Sequence, residues 1–141
     1  MQDSISTRSQ KNVQKIIQWF TIFYVIALTF LLEMPSGFFS GTSLGSLEPA
    51  RGYAHLITFT LLGFLTELCR EKRSFLFWVC VLILYALATE VFQGLLSPIC
   101  YRTFDLRDIC QNTLGIALGT SLGYFCRPFI IKPSATDYAP P

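Results

Sequence analysis

The 141-residue chain has room for one domain; it is 52% hydrophobic and only 14% charged, with a mean hydropathy of +0.47. Soluble domains carry about 25% charged residues, and here the few charges cluster and leave long apolar stretches, which excludes an ordinary water-soluble core. The net charge of +2 comes with no row of basic side chains that would track phosphates, so nucleic acid is excluded as a partner.

In chain order, residues 1–12 are polar and are expected to form an unstructured tail. Residues 16–32 are almost unbroken apolar sequence, interrupted by Gln18, Thr21 and Thr29. They predict a first membrane helix, since a span needs about 20 residues with a range of about 17–25. Glu33-Met34-Pro35 follows in place of an Ala-x-Ala cleavage pattern, so this helix is read as retained and not as a signal peptide. Pro35, Gly37, Gly41, Gly45 and Pro49 mark residues 34–50 as a loop. A short second helix is predicted over residues 53–69, then a charged turn, Arg70-Glu71-Lys72-Arg73. The third helix is predicted over residues 75–96, ended by Pro98, followed by a loop over 99–107. The fourth is predicted over residues 108–125, with a Pro-containing tail behind it. The fold class is therefore an all-α integral membrane protein, a four-transmembrane-helix bundle, divided into a tail at 1–12, a membrane domain at 13–126 and a tail at 127–141.

Positive charge predicts the orientation. With the N-terminus inside, the cytoplasmic segments hold Arg8, Lys11, Lys15, Arg70, Lys72, Arg73, Arg127 and Lys132, and the outer loops hold Arg51, Arg102 and Arg107. That is 8 against 3 of the 11 Lys and Arg, so both termini are expected in the cytoplasm. Aromatic residues agree: Tyr53 and Tyr101 fall near the outer boundary, Trp78 and Tyr124 near the inner one.

The remaining polar residues gather at one depth, the outer leaflet. His55 opens helix 2. Glu90 and Gln93 lie toward the end of helix 3, Glu90 about 10 Å below it at a rise of about 1.5 Å per residue. Arg102, Asp105 and Arg107 sit in the outer loop, and Asp108 and Asn112 open helix 4. A carboxylate at the depth of Glu90 must be paired, hydrogen-bonded, protonated or wet. Ala86, Glu90, Gln93 and Ser97 share one helical stripe. Asp108, Asn112, Gly115, Gly119 and Gly123 share another, so the polar end of helix 4 runs into a Gly-x-x-x-Gly-x-x-x-Gly seam that lets helix backbones approach in lipid. These readings predict a polar pocket opening outward above a tightly packed inner half. Plainer roles stand beside them. Asp108 is also suited to cap helix 4, Gln93 and Asn112 to act as interhelical glue, and Glu67 to pair with Arg70 at a helix end. Arg51 and Glu48 read as loop surface.

One histidine and five cysteines, without a Cys-x-x-Cys or His-x-x-x-His pair, predict no zinc site. No metal and no cofactor is expected. The cysteine spacing is irregular, and four of the five lie in or beside apolar runs, where a free thiol acts as a small hydrophobe. No disulfide framework is expected.

The run Ala54-His55-Leu56 through Leu62-Gly63-Phe64-Leu65, then Glu90-Val91-Phe92-Gln93, Arg102-Thr103-Phe104-Asp105 and Asp108-Ile109-Cys110-Gln111-Asn112-Thr113-Leu114-Gly115, resembles the VanZ-like family. That family's pattern is a His opening one helix, Glu-x-x-Gln ending the next, an Arg in the loop and Asp-x-x-x-Asn-Thr-x-Gly opening the last. The resemblance spans about residues 13–126. It departs where many members place an acidic residue or Lys shortly before the His; Arg51-Gly52-Tyr53 stands there in this chain. The resemblance implies that His55, Glu90, Gln93, Arg102, Asp108 and Asn112 form the site. The family is named for a protein linked to low-level resistance to the glycopeptide teicoplanin, and the resemblance supplies no reaction.

Four functions are open at this point. One is a site for a lipid-linked or anionic cell-envelope molecule reached from the membrane, with Arg102 holding a phosphate or carboxylate. The same pocket as an enzyme would use Glu90 and His55 as acid and base, with Asp108 a further catalytic candidate; no nucleophile signature surrounds Ser97 or Thr103. The third is a membrane scaffold or accessory subunit, and a homo-oligomer is open under each. A transporter fits least, because four short helices leave little room for alternating access.

Overall fold

The computed structural model describes residues 2–33, 48–70, 74–96 and 105–131. Among these residues the chain is all-helical, with four helices and no strand: α1 (Gln2–Glu33), α2 (Glu48–Cys69), α3 (Phe75–Leu95) and α4 (Leu106–Ile130). Two of them, over Asn12–Glu33 and Phe75–Leu95, are long and apolar enough to cross a membrane.

Helix boundaries depart from the expected ones where the local breaker signal is weak. Residues 2–12, expected as an unstructured tail, are the first turns of α1. No Gly or Pro interrupts this stretch, and each further residue on an existing helix adds one backbone hydrogen bond. α2 begins at Glu48 instead of Tyr53, with Pro49 in its first turn, where an N–H would have no helical partner anyway. α4 runs from Leu106 through Pro128 to Ile130, longer than 108–125 at both ends. The α3 start agrees with the sequence: Ser74 caps it, its Oγ accepting from the Phe77 backbone N–H at 3.2 Å.

Side-chain contacts set the relative directions. Tyr24 OH donates to the Thr58 carbonyl at 2.9 Å and Thr21 Oγ1 lies 3.2 Å from Cys69 Sγ, so α1 and α2 are antiparallel. Thr29 Oγ1 lies 2.9 Å from Tyr85 OH, and Gln93 Nε2 donates to the Leu32 carbonyl at 3.0 Å, so α1 and α3 run together. Leu28, Leu32, Phe59, Leu62, Leu82, Ala86 and Ile116 form one buried core shared by all four helices.

The most extensive contact is between α2 and α4, and glycine makes it. A Cβ on Gly115 would stand 2.7 Å from the Leu56 carbonyl oxygen, one on Gly123 2.8 Å from Glu67 Cβ, and one on Gly119 would run into the Thr60 carbonyl. Gly63 returns the arrangement, its missing Cβ 2.9 Å from the Ile116 carbonyl oxygen. The partners advance together along both chains, so α2 and α4 lie parallel. Thr60 and Thr120 turn their hydroxyls back on the carbonyls of Leu56 and Ile116 at 2.7 Å, so these two hydroxyls are satisfied within their own helices. At its far end Glu67, 1% exposed, takes a two-pronged contact from Arg70, with Nη2 to Oε1 at 2.8 Å and Nε to Oε2 at 3.0 Å. Arg127 donates to the Arg70 carbonyl and ties the ends of α2 and α4 together.

Candidate functional site

The α2–α4 register brings the starts of these two helices side by side, and α3, running the other way, ends beside them. Three side chains from three helices meet there. Asn112, fully buried on α4, lies between His55 and Glu90. Its Oδ1 is 3.1 Å from His55 Nδ1, and its Nδ2 donates to Glu90 Oε1 at 3.4 Å. His55 is 4% exposed and Glu90 0%. With Glu90 ionised, the Asn112 amide must turn its N–H toward the carboxylate and its oxygen toward the imidazole. His55 then carries its proton on Nδ1. In the neutral imidazole the Nε2 lone pair then faces Asp108 Oδ2 at 3.7 Å, too far for a direct hydrogen bond. One donor atom from each of His55, Glu90 and Asp108 lies within 4.8 Å of the others.

Asp108 is free for this because Asp105 caps the helix. Asp105 Oδ1 accepts from the Arg107 backbone N–H at 2.8 Å, and its carbonyl accepts from the N–H groups of Asp108 and Ile109. The cap proposed by sequence for Asp108 thus falls three residues earlier. Asp108 sits in the first turn with its side chain 13% exposed, as the rim of the cluster. The Asp105 backbone N–H also faces the Glu90 carboxyl. Glu90 Oε2 nevertheless accepts no hydrogen bond among the described residues.

Of the six positions expected to share a site, the structure brings His55, Glu90, Asp108 and Asn112 together. Gln93 is buried on the same face of α3, but its amide donates to the Leu32 carbonyl in the last turn of α1. Arg102 lies outside the described residues, as do Ser97 and Thr103, so the pairing expected between Glu90 and Arg102 has no described geometry. Glu90's hydrogen-bond partner is Asn112 and not His55. Gly115, Gly119 and Gly123 face α2 as the seam pattern predicts. Sequence reading passed over Asp105 as the cap, although Asp at 105 followed by Asp at 108 marks a helix start.

The cluster is a close-packed set of buried groups whose only partly open member is Asp108. With His55 neutral, its two carboxylates give it a double negative charge. It can bind a cation or a proton, or exchange a proton with something that reaches the rim. No curated protein and no solved structure matches the chain. The family model described as VanZ/LLP1 matches residues 2–127, a stretch that contains all four helices but for the last three residues of α4, and the chain belongs to the VanZ/LLP1 family.

Proposed function

We propose that the four helices cross the membrane as a bundle with both termini in the cytoplasm, and that the His55–Glu90–Asp108–Asn112 cluster is a site at the outer leaflet. The function assigned to it is binding a lipid-linked or anionic cell-envelope molecule. The alternating helix directions support the topology, because one crossing then implies the rest. The apolar part of α2, Tyr53–Cys69, is shorter than those of α1 and α3, and α4 carries polar residues on the face it turns to α2. Their outer faces are apolar: Tyr53, Ile57 and Leu61 on α2, and Leu114, Leu118, Leu122, Phe125 and Phe129 on α4, are all exposed. Large apolar residues left open along a whole helix mark a surface that water does not meet. Reporter fusions after Lys72 and after Lys132 are expected to read cytoplasmic, and one at Gly45 external. A cytoplasmic signal at Gly45 would overturn the orientation.

The observation that carries the site is its uselessness for packing. The glycine seam already joins α2 to α4, whereas a buried carboxylate in a membrane bundle costs several kcal/mol. A charged group kept there is best accounted for by a ligand. Arg107, exposed one residue before Asp108, supplies positive charge for an anionic headgroup arriving from the membrane, and Arg102, outside the described residues, is a further basic residue upstream in sequence. Native mass spectrometry of the protein released from nanodiscs tests this. Wild-type protein is expected to retain a lipid or lipid-linked species, and Asp108→Asn to lose most of it. Identical lipid profiles would sink the reading. In cells, the family resemblance makes teicoplanin susceptibility the phenotype to follow.

A further inference from the structure

The cluster's internal hydrogen bonds leave two lone pairs pointed at each other. With Glu90 ionised and His55 neutral, Asn112 holds the His55 proton on Nδ1, and the unprotonated Nε2 faces Asp108 Oδ2 at 3.7 Å. Two acceptors facing across a buried gap repel unless something positive lies between them. Glu90 adds a third acceptor: its Oε1 takes the Asn112 bond, while Oε2, fully buried, has no hydrogen-bond partner among the described residues. An unsatisfied carboxylate oxygen at 0% exposure beside an imidazole nitrogen and a second carboxylate is a donor set suited to a cation.

We propose that His55 Nε2, Glu90 and Asp108 hold one divalent cation of the Mn²⁺ or Zn²⁺ class, with Asn112 as the group that orients two of the three ligands. The spacing suits it. Ligand atoms about 2.0–2.2 Å from one ion stand roughly 3–4 Å apart, and the three donors lie within 4.8 Å of one another, with one pair at 3.7 Å. Closing on an ion brings the widest pair, up to 4.8 Å apart, together by about 1–2 Å, within reach of side-chain adjustment.

The charge also balances, since two carboxylates and a neutral imidazole around a dication sum to zero, the cheapest state for a site in a low-dielectric slab. One imidazole nitrogen with carboxylate oxygens favours Mn²⁺, Zn²⁺ or Fe²⁺ over the softer, thiolate-seeking ions. The Asn112 amide plays the part that carbonyl and carboxylate oxygens play behind metal-bound histidines, accepting the Nδ1 proton and fixing the tautomer. The local Cys and His spacings from which no metal was expected do not bear on this set, because positions 55, 90 and 108 come from three helices. The ion also accounts for how a doubly negative cluster would admit an anionic headgroup, by leaving a coordination position open at the Asp108 rim. Cation binding itself does not rest on that ligand.

The test uses purified full-length protein, stripped with chelator and titrated with Mn²⁺ while the free ion's electron paramagnetic resonance signal is followed. Mn²⁺ is chosen because the exposed thiols of Cys80 and Cys110 compete poorly for it. Wild-type protein is expected to bind one ion per chain, displaced by Zn²⁺. Glu90→Gln and Asp108→Asn are each expected to weaken binding by about tenfold or more, since even an outer partner of a metal ligand is worth about 10–100-fold. Asp108, on the rim, keeps the test open if Glu90→Gln fails to fold. A Cys80→Ser/Cys110→Ser double variant is expected to bind as wild type does. No uptake by the wild-type protein at millimolar Mn²⁺ would overturn the proposal. So would equal affinity in a folded Asp108→Asn protein, or one-bond NMR couplings showing a proton on His55 Nε2 in place of an ion. Loss of lipid retention with Mn²⁺ binding intact would instead remove the envelope-ligand reading and leave the cation site standing.

Discussion

Gly119→Leu is expected to leave almost no folded protein in detergent. The missing side chain of Gly119 faces α2 backbone, where an added Cβ would overlap the Thr60 carbonyl and crowd the Phe64 N–H at 2.9 Å. Backbone on both sides gives the collision nowhere to go except separation of the two helices. Separation unpacks Gly63, Gly115 and Gly123 at once, since all four close contacts belong to one parallel register. Even Gly119→Ala should cost about 3 kcal/mol, the upper end of ordinary overpacking, and leucine more. The contrast position is Leu118, exposed on the opposite face, where Leu118→Ala should leave the melting temperature nearly unchanged. A normal yield and melting temperature for Gly119→Leu would mean that the seam faces lipid and that the α2–α4 contact is wrong.

Glu90 gives the second large effect, and comparing two substitutions there separates ligand from scaffold. Both Glu90→Gln and Glu90→Leu remove the charge, so the cost of burying a carboxylate cancels between them. Glutamine keeps an oxygen for Asn112 Nδ2 to bond; leucine leaves that donor buried without an acceptor, a penalty of about 1–3 kcal/mol. Thermal unfolding should therefore rank Glu90→Leu below Glu90→Gln, and Glu90→Gln no lower than wild type, from which it also removes the buried charge. Function should rank otherwise. If the cluster binds a ligand, Glu90→Gln should lose ligand retention about tenfold or more, ~1.4 kcal/mol, despite its retained stability. A Glu90→Gln protein that is stable and fully active in cells would favour the scaffold reading.

The sequence by itself placed four helices and the glycine face, and its wider set of six polar positions included the four that meet, His55, Glu90, Asp108 and Asn112. Length of apolar run places α1 and α3, because a span has no other local signature. Helical periodicity puts Asp108, Asn112, Gly115, Gly119 and Gly123 on one stripe, because side chains three and four apart share a face. The same rule puts Glu90 and Gln93 together on α3, yet it says nothing of their partners. Tertiary structure sent Gln93 to the Leu32 carbonyl of α1 and Glu90 to Asn112 of α4, because those hydrogen bonds depend on how far each helix slides past its neighbour. That slide is set by where Gly63 and Gly119 allow backbones to touch. It also decided the orientation of His55: a histidine opening a helix is uninformative in sequence, and only the contact with Asn112 turns Nδ1 inward and Nε2 toward Asp108. The helix ends escaped sequence reading for the reverse reason. Nothing local forbids helix in residues 2–12 or beyond Phe125, and a helix already nucleated continues at little cost until packing or a strong breaker stops it.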